Sequence, residues 1–143
     1  MREVLFFKEG KIEYPSFFSD TLTLEWLDRI AAHYGKSIGI ISFIFCDDEY
    51  ILSVNRQYLQ HDYYTDVITF DYCEGELLSG DVFISLDTVK SNSMEFNTDF
   101  ENEFNRVVCH SVLHLIGFKD KTEPDSVEMR KNENICLDLL KTA

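Results

Sequence analysis

Two histidines four residues apart, His110 and His114, stand in the run Cys109-His110-Ser111-Val112-Leu113-His114-Leu115-Ile116-Gly117. The run reads as a buried helix, and residues at i and i+4 share one helix face, so both imidazoles point the same way. Gly117 stops the helix, and Asp120 follows three positions later. Two imidazoles on one turn, a glycine bend and a returning carboxylate form a three-ligand set for a transition metal, namely His110, His114 and Asp120. Three protein ligands leave a position for water, which points to hydrolysis rather than to a structural role. Either histidine alone would read as a core residue bonded to a backbone carbonyl; the pair together with Gly117 and Asp120 reads as ligands. The residue after His110 is Ser111, so the glutamate of an HExxH protease is absent and that chemistry is disfavoured.

The chain that must position this set has 143 residues, enough for one domain, 1–143, with a substantial core. Hydrophobic residues make up 45% and aromatics 14%, which argues against disorder. The formal net charge of −13 excludes non-specific nucleic-acid binding through bulk electrostatics, so any nucleic-acid role needs a local cationic patch. Cys46, Cys73, Cys109 and Cys136 are widely spaced with no CxxC pair, and they read as free thiols of a reducing cytosol. No signal peptide is visible, and the longest apolar run, Ile38 to Cys46, is too short to span a bilayer, so a cytoplasmic protein with no membrane partner is expected.

Stepping along the chain, Val4 to Phe7 suits a first strand. Leu24, Leu27, Ala31 and Tyr34 repeat at helical spacing before Gly35. Ser37 to Cys46 is rich in Ile and Phe and suits a buried strand. Asp47-Asp48 can cap a second helix with Ile51, Val54 and Tyr58 on its inner face. Between Asp66 and Tyr72, Val67, Thr69 and Asp71 alternate with Ile68, Phe70 and Tyr72, and Gly75 turns the chain into a return strand from Asp81 to Leu86. A short helix near Thr88 to Met94 is followed by the histidine helix from about Phe100. A final helix starts at Pro124, with Val127, Ile135 and Leu139 as its apolar side. The order β-α-β-α-β-β-α-α-α predicts an α+β domain in which a small mixed sheet of about four strands is covered by about five helices.

Three blocks, in order, resemble the YbeY family of bacterial ribosomal RNA maturation endoribonucleases. His110-Ser111-Val112-Leu113-His114-Leu115-Ile116-Gly117-Phe118-Lys119-Asp120 is similar to the family's H-G-x-L-H-L-x-G-Y-D-H, with Asp120 at the third histidine. The stretch from Val54-Asn55-Arg56-Gln57-Tyr58-Leu59 to Thr65-Asp66-Val67-Ile68-Thr69-Phe70 resembles L-N-x-x-Y-R-x-x-D-x-P-T-D-V-L-S-F, with Leu59 where the family has Arg. Gly80-Asp81-Val82-Phe83-Ile84-Ser85 looks like G-D-I-x-I-S. The resemblance implies a single-strand-specific metallo-endoribonuclease acting in 16S ribosomal RNA 3′-end maturation and ribosome quality control. It would carry one Zn2+ or another divalent transition metal on His110, His114 and Asp120. Ribosomal RNA and ribosomal proteins would be its partners, and DNA would not. Glu123 is the next acid and a fallback ligand. Arg56, one helical turn before Leu59, is the candidate to replace the family's Arg.

Within that reading, Arg106 lies one turn before His110 and can stabilise charge developing on a phosphoryl group, or pair with Glu101 or Glu103. Lys119 and Lys121 offer the same chemistry or belong to a solvated loop. Thr65 and Asp66 can accept the second N–H of a ligating imidazole or open a strand through turn chemistry. Tyr63 and Tyr64 can stack on single-stranded bases or join the core. His33 and His61 read as surface residues. Two other functions fit the same residues: a ribosome-assembly factor that keeps the metal without cleaving, and a metal-dependent hydrolase of small phosphoesters.

Overall fold

The computed structural model describes residues 2–61 and 65–141. Four strands, β1 (Glu3–Glu9), β2 (Ser37–Cys46), β3 (Val67–Asp71) and β4 (Leu77–Ser85), form one sheet in the order β1-β2-β4-β3. β1 and β4 run parallel to β2, while β3 pairs antiparallel with β4. The sheet is therefore mixed. Five helices accompany it: α1 (Asp20–His33), α2 (Asp48–Val54), α3 (Leu86–Glu95), α4 (Phe100–Ile116) and α5 (Glu123–Lys141). This is the expected α+β arrangement. Tyr63 and Tyr64 lie outside the described residues.

Strand alternation decides which side chains meet which helices. Ile41, Phe43 and Phe45 of β2 and Leu78, Val82 and Ile84 of β4 are buried beneath α1 and α4, in the main core with Trp26, Phe104 and Val112. Phe6 stacks on Phe43 with ring centroids 5.8 Å apart and joins β1 to the same layer. On the opposite face Ile51 and Val54 of α2 pack on Cys46 and Ile68, flanked by Phe70 and Phe83. β3 thus turns Ile68 and Phe70 to α2 and leaves Val67, Thr69 and Asp71 for the face that meets α4.

The helix starts are capped by side chains. Ser19, Asp47, Ser85 and Asp99 accept backbone N–H bonds at the starts of α1, α2, α3 and α4. α5 is tied to α1 and to Tyr34, which caps α1, by three bonds: Trp26 Nε1 donates to Cys136 O at 2.7 Å, Arg29 Nε to Leu139 O at 3.0 Å, and Tyr34 Oη to Asn132 Oδ1 at 2.6 Å.

Three expectations are corrected. Tyr58 does not face inward: α2 passes into a π-helical turn, Asn55–Leu59, that rotates it out to 60% exposure, edge-on to Phe70. Val127 is exposed, and α5 buries Met129, Cys136 and Leu137 together with the polar Asn132 and Glu133. A search for apolar residues alone misses a buried face that carries a charge. β4 begins at Leu77, four residues before Asp81, because Leu77 and Leu78 already pair with Ser37 and Ile38.

Gly80 marks the tightest approach behind the site. A Cβ there would stand 2.4 Å from the Phe70 carbonyl oxygen of β3 and 3.0 Å from Leu115 Cδ2 of α4. Backbone on one side leaves no room to yield. Gly80→Ala is expected to lower stability by about 1–3 kcal/mol, measured by urea unfolding of wild type beside variant.

Candidate metal centre

α4 carries the site because nearly all of it is locked in the core. Phe104, Val107, Val108, Val112, Leu113 and Leu115 are buried, which leaves His110 and His114 on the stripe that faces the β3 side. Their side chains are 20% and 29% exposed, and that of Asp120 is 36% exposed. Gly117 ends the helix at φ +124°, a value that L side chains rarely adopt, and its N–H bonds back to Leu113 O and His114 O. The chain reverses there. Phe118 N donates to Leu113 O at 3.0 Å, and the Phe118 ring packs edge-on against Tyr34. Asp120 is thereby returned over the two imidazoles.

The geometry is a triangle. His110 Nε2 stands 3.0 Å from His114 Nε2 and 3.1 Å from Asp120 Oδ2, and His114 Nε2 stands 3.4 Å from the same oxygen. Ligands about 2.0–2.1 Å from a tetrahedral metal are roughly 3.3 Å from one another, so the spacing fits a transition metal.

The outer nitrogens set the tautomers. Phe118 O can only accept, so His114 Nδ1, 3.0 Å away, donates to it. His110 Nδ1 lies 2.6 Å from Glu133 Oε2 and donates to that carboxylate. Both Nε2 atoms then present lone pairs to each other and to Asp120. Three acceptors at this range repel unless a positive species sits among them, and two imidazoles with a carboxylate are a set that zinc and its neighbours accept.

The charges agree. Burial works against a protonated His110, but the bond to Glu133 and the charges of Glu133, Asp120 and Asp66 outweigh it and lift His110 above the ordinary histidine range. Burial would raise Glu133, yet its bonds to His110 and Arg106 hold its carboxyl below the usual value. The cluster draws positive charge.

Glu133 escaped the sequence reading. It comes from α5, with a side chain 6% exposed, and bridges His110 to Arg106, whose Nη1 lies 3.0 Å from Oε1. The available signal was a charged residue set between Met129 and Leu137 on one helical stripe. Arg106 was expected to pair with Glu101 or Glu103 if it paired at all; its ion partner is Glu133.

A cleft of about 360 Å³ opens over the triangle. Thr65 and Asp66 line it, as do Val67, Thr69 and Asp71 of β3, with His110, His114 and Asp120. Burial raises the Asp66 carboxyl, against the opposing influence of His110, backbone amides and Thr65. Lys119 and Lys121 are exposed beside Asp120 and do not line the cleft; Glu123 is an exposed residue at the start of α5 and stands outside the triangle. Arg56 sits on the exposed side of the π-helical turn, and neither it nor His33 or His61 lines the cleft.

The family model of endoribonuclease YbeY matches residues 7–141. The chain belongs to the endoribonuclease YbeY family. The YbeY protein of Bacteroides fragilis is 58% identical over 119 residues, covering 83% of this chain and 86% of that protein. The YbeY protein of Porphyromonas gingivalis is 44% identical over 141 residues, covering 99% and 92%. Among solved structures, the solution structure of TM1509 from Thermotoga maritima superposes with a TM-score of 0.69 at 27% identity, covering 96% of this chain and 88% of that one. The YbeY resemblance seen in three sequence blocks thus extends along nearly the whole chain. Among the described residues no helix is long and apolar enough to cross a membrane.

Because Glu133 fixes the His110 tautomer and strengthens its lone pair, Glu133→Gln is expected to weaken zinc binding by about 10–100-fold, read by competition with a chromophoric chelator.

Proposed function

We propose that residues 1–143 form a single-domain metallo-endoribonuclease that cuts single-stranded ribosomal RNA in the cytoplasm, acting on or near the ribosome. The observation that carries this reading is the triangle of acceptor atoms on His110, His114 and Asp120, set at the floor of an open cleft. Membership of a family named for endoribonuclease activity supplies the substrate class. The ligand set favours one Zn2+ per chain, with another divalent transition metal as the substitute. Such an ion supplies an acidified water and polarises a phosphoryl oxygen.

The chain's own residues do the rest. His110 and His114 keep their Nε2 lone pairs inward because Glu133 and Phe118 O hold the opposite nitrogens. Asp66 lines the cleft with a carboxyl raised by burial, which suits it to take a proton at a side-chain oxygen during attack on phosphorus. Arg106 is the better of the two cation candidates for developing phosphoryl charge, since it neighbours His110 through Glu133. Arg56 has only its charge and its place near Leu59 in its favour.

An acidic chain is repelled by bulk RNA, so docking onto a basic ribosomal protein is the route to substrate that its charge allows. The same charge, with Leu59 at the family's arginine position, favours one second reading: a ribosome-assembly factor that holds metal without cutting. DNA and membranes are not partners in either reading.

The test begins with metal analysis by plasma mass spectrometry on untagged protein. Wild type is expected to carry about one equivalent of zinc or a neighbouring metal, and Asp120→Ala to lose it. Chelated wild type should lose cleavage of single-stranded RNA and regain it on zinc addition. Normal ribosomal RNA processing in cells that carry only Asp120→Ala would overturn the catalytic reading and leave assembly as the role.

A further inference from the structure

A second cavity, of about 260 Å³, lies on the other side of His110 and shares both His110 and Asp66 with the metal cleft. Its walls come from α3, α4 and α5, and it is smaller than a pocket for a drug-sized ligand, about 300–1,000 Å³. One ring system suits it.

The α4 wall is a single helical stripe: Glu103, Arg106, Val107 and His110 stand at i, i+3, i+4 and i+7. Seven residues of helix span roughly 10 Å, about the length of one nucleotide from its phosphate to the edge of its base. A strand whose scissile phosphate lies at the metal triangle can therefore place a neighbouring base against Glu103.

Glu103 is the unexplained group here. Only 8% of the residue is exposed. Among the described residues nothing donates a hydrogen bond to its carboxylate, and it forms no ion pair: Arg106 and Arg130 both turn to Glu133 instead, at 3.0 and 3.7 Å. Its oxygens open onto the cavity. Water on the cavity side, with the charges of Arg106 and Arg130 nearby, is what the carboxylate has, and a ligand that brings N–H donors would take the water's place. At the rim stands Phe96, the residue that ends α3, 59% exposed and part of the cavity lining. An exposed ring beside an acceptor-lined pocket is how single-stranded bases are held: one face stacked, one edge bonded.

Resting on the endoribonuclease reading, we infer that this cavity is a nucleobase subsite, in which Phe96 stacks the base and the Glu103 carboxylate accepts from an edge with two adjacent N–H donors, guanine above the other bases. Among the ordinary bases, guanine alone pairs a ring N–H with an adjacent amino group, the donor fork that a carboxylate accepts with both oxygens. Uracil turns two carbonyls and one N–H to the same place and meets repulsion. With Arg106 and Arg130 both paired to Glu133, Glu103 is left as the acceptor that such an edge would meet.

The experiment titrates guanosine and uridine monophosphates into zinc-loaded wild type, Glu103→Gln and Phe96→Ala, followed by calorimetry and backbone amide NMR. Both probes carry the same phosphate and sugar, so their difference isolates the base. Wild type is expected to prefer the guanosine probe by on the order of tenfold, with shifts at Phe96 and along the Glu103 face of α4. Glu103→Gln should bring that ratio close to one, with the metal content of the variant showing that the triangle is intact. Phe96→Ala, at an exposed position that the fold tolerates, should weaken the guanosine probe even if Glu103→Gln does not fold. Equal affinity for the two probes in wild type, or an unchanged ratio in a folded Glu103→Gln, overturns the subsite. Discrimination between the probes by a wild type that cuts no RNA would keep the subsite and sink the nuclease reading; RNA cleavage without discrimination would do the reverse.

Discussion

Three hydrogen-bond acceptors forced within 3.4 Å of one another are the constraint from which the rest of the molecule follows. Left alone, two imidazole lone pairs and a carboxylate would separate. They stay together because each is gripped from behind. Helix α4 is anchored by its apolar sides, Gly117 reverses the chain, Phe118 offers its carbonyl to His114, and Glu133 takes the outer N–H of His110. The fold stores an electrostatic demand at this point, of the kind that a bound cation would answer.

How much of this was legible beforehand differs from residue to residue. His110, His114 and Asp120 could be found because their geometry is local: one helical turn, one glycine, one short return. β2 could be found to the residue because a run of Ile and Phe leaves few alternatives for a buried strand. Glu133 could not, because its meaning depends on α5 crossing α4 at one particular height, 23 residues further along the chain. Tyr58 was misplaced because a π-helical turn breaks the 3.6-residue period on which inward and outward faces are judged. Val127 was misplaced because α5 spends part of its buried stripe on Asn132 and Glu133, so the apolar pattern pointed to a neighbouring stripe.

The sheet divides the molecule's labour between its two faces. β3, at the edge, turns Ile68 and Phe70 towards α2 and Val67, Thr69 and Asp71 towards the cleft over His110, His114 and Asp120. A strand with a core on one side only can give its other side to solvent and substrate. The same edge position leaves the cleft open, in keeping with a long, flexible substrate rather than an enclosed small molecule. Net charge acts over a longer range and in the opposite sense: at −13 it repels loose polyanion from the surface as a whole.

The three bonds that fasten α5 to Trp26, Arg29 and Tyr34 have a consequence in time. Protein chains are made from the N-terminus, and α1 and α4 both emerge before the helix that carries Glu133. Until α5 docks against α1, His110 has no acceptor for its outer nitrogen and nothing holds its ring to the triangle. The bond that holds the His110 ring in place is thus the last part of the centre to be made, after the sheet and the first four helices.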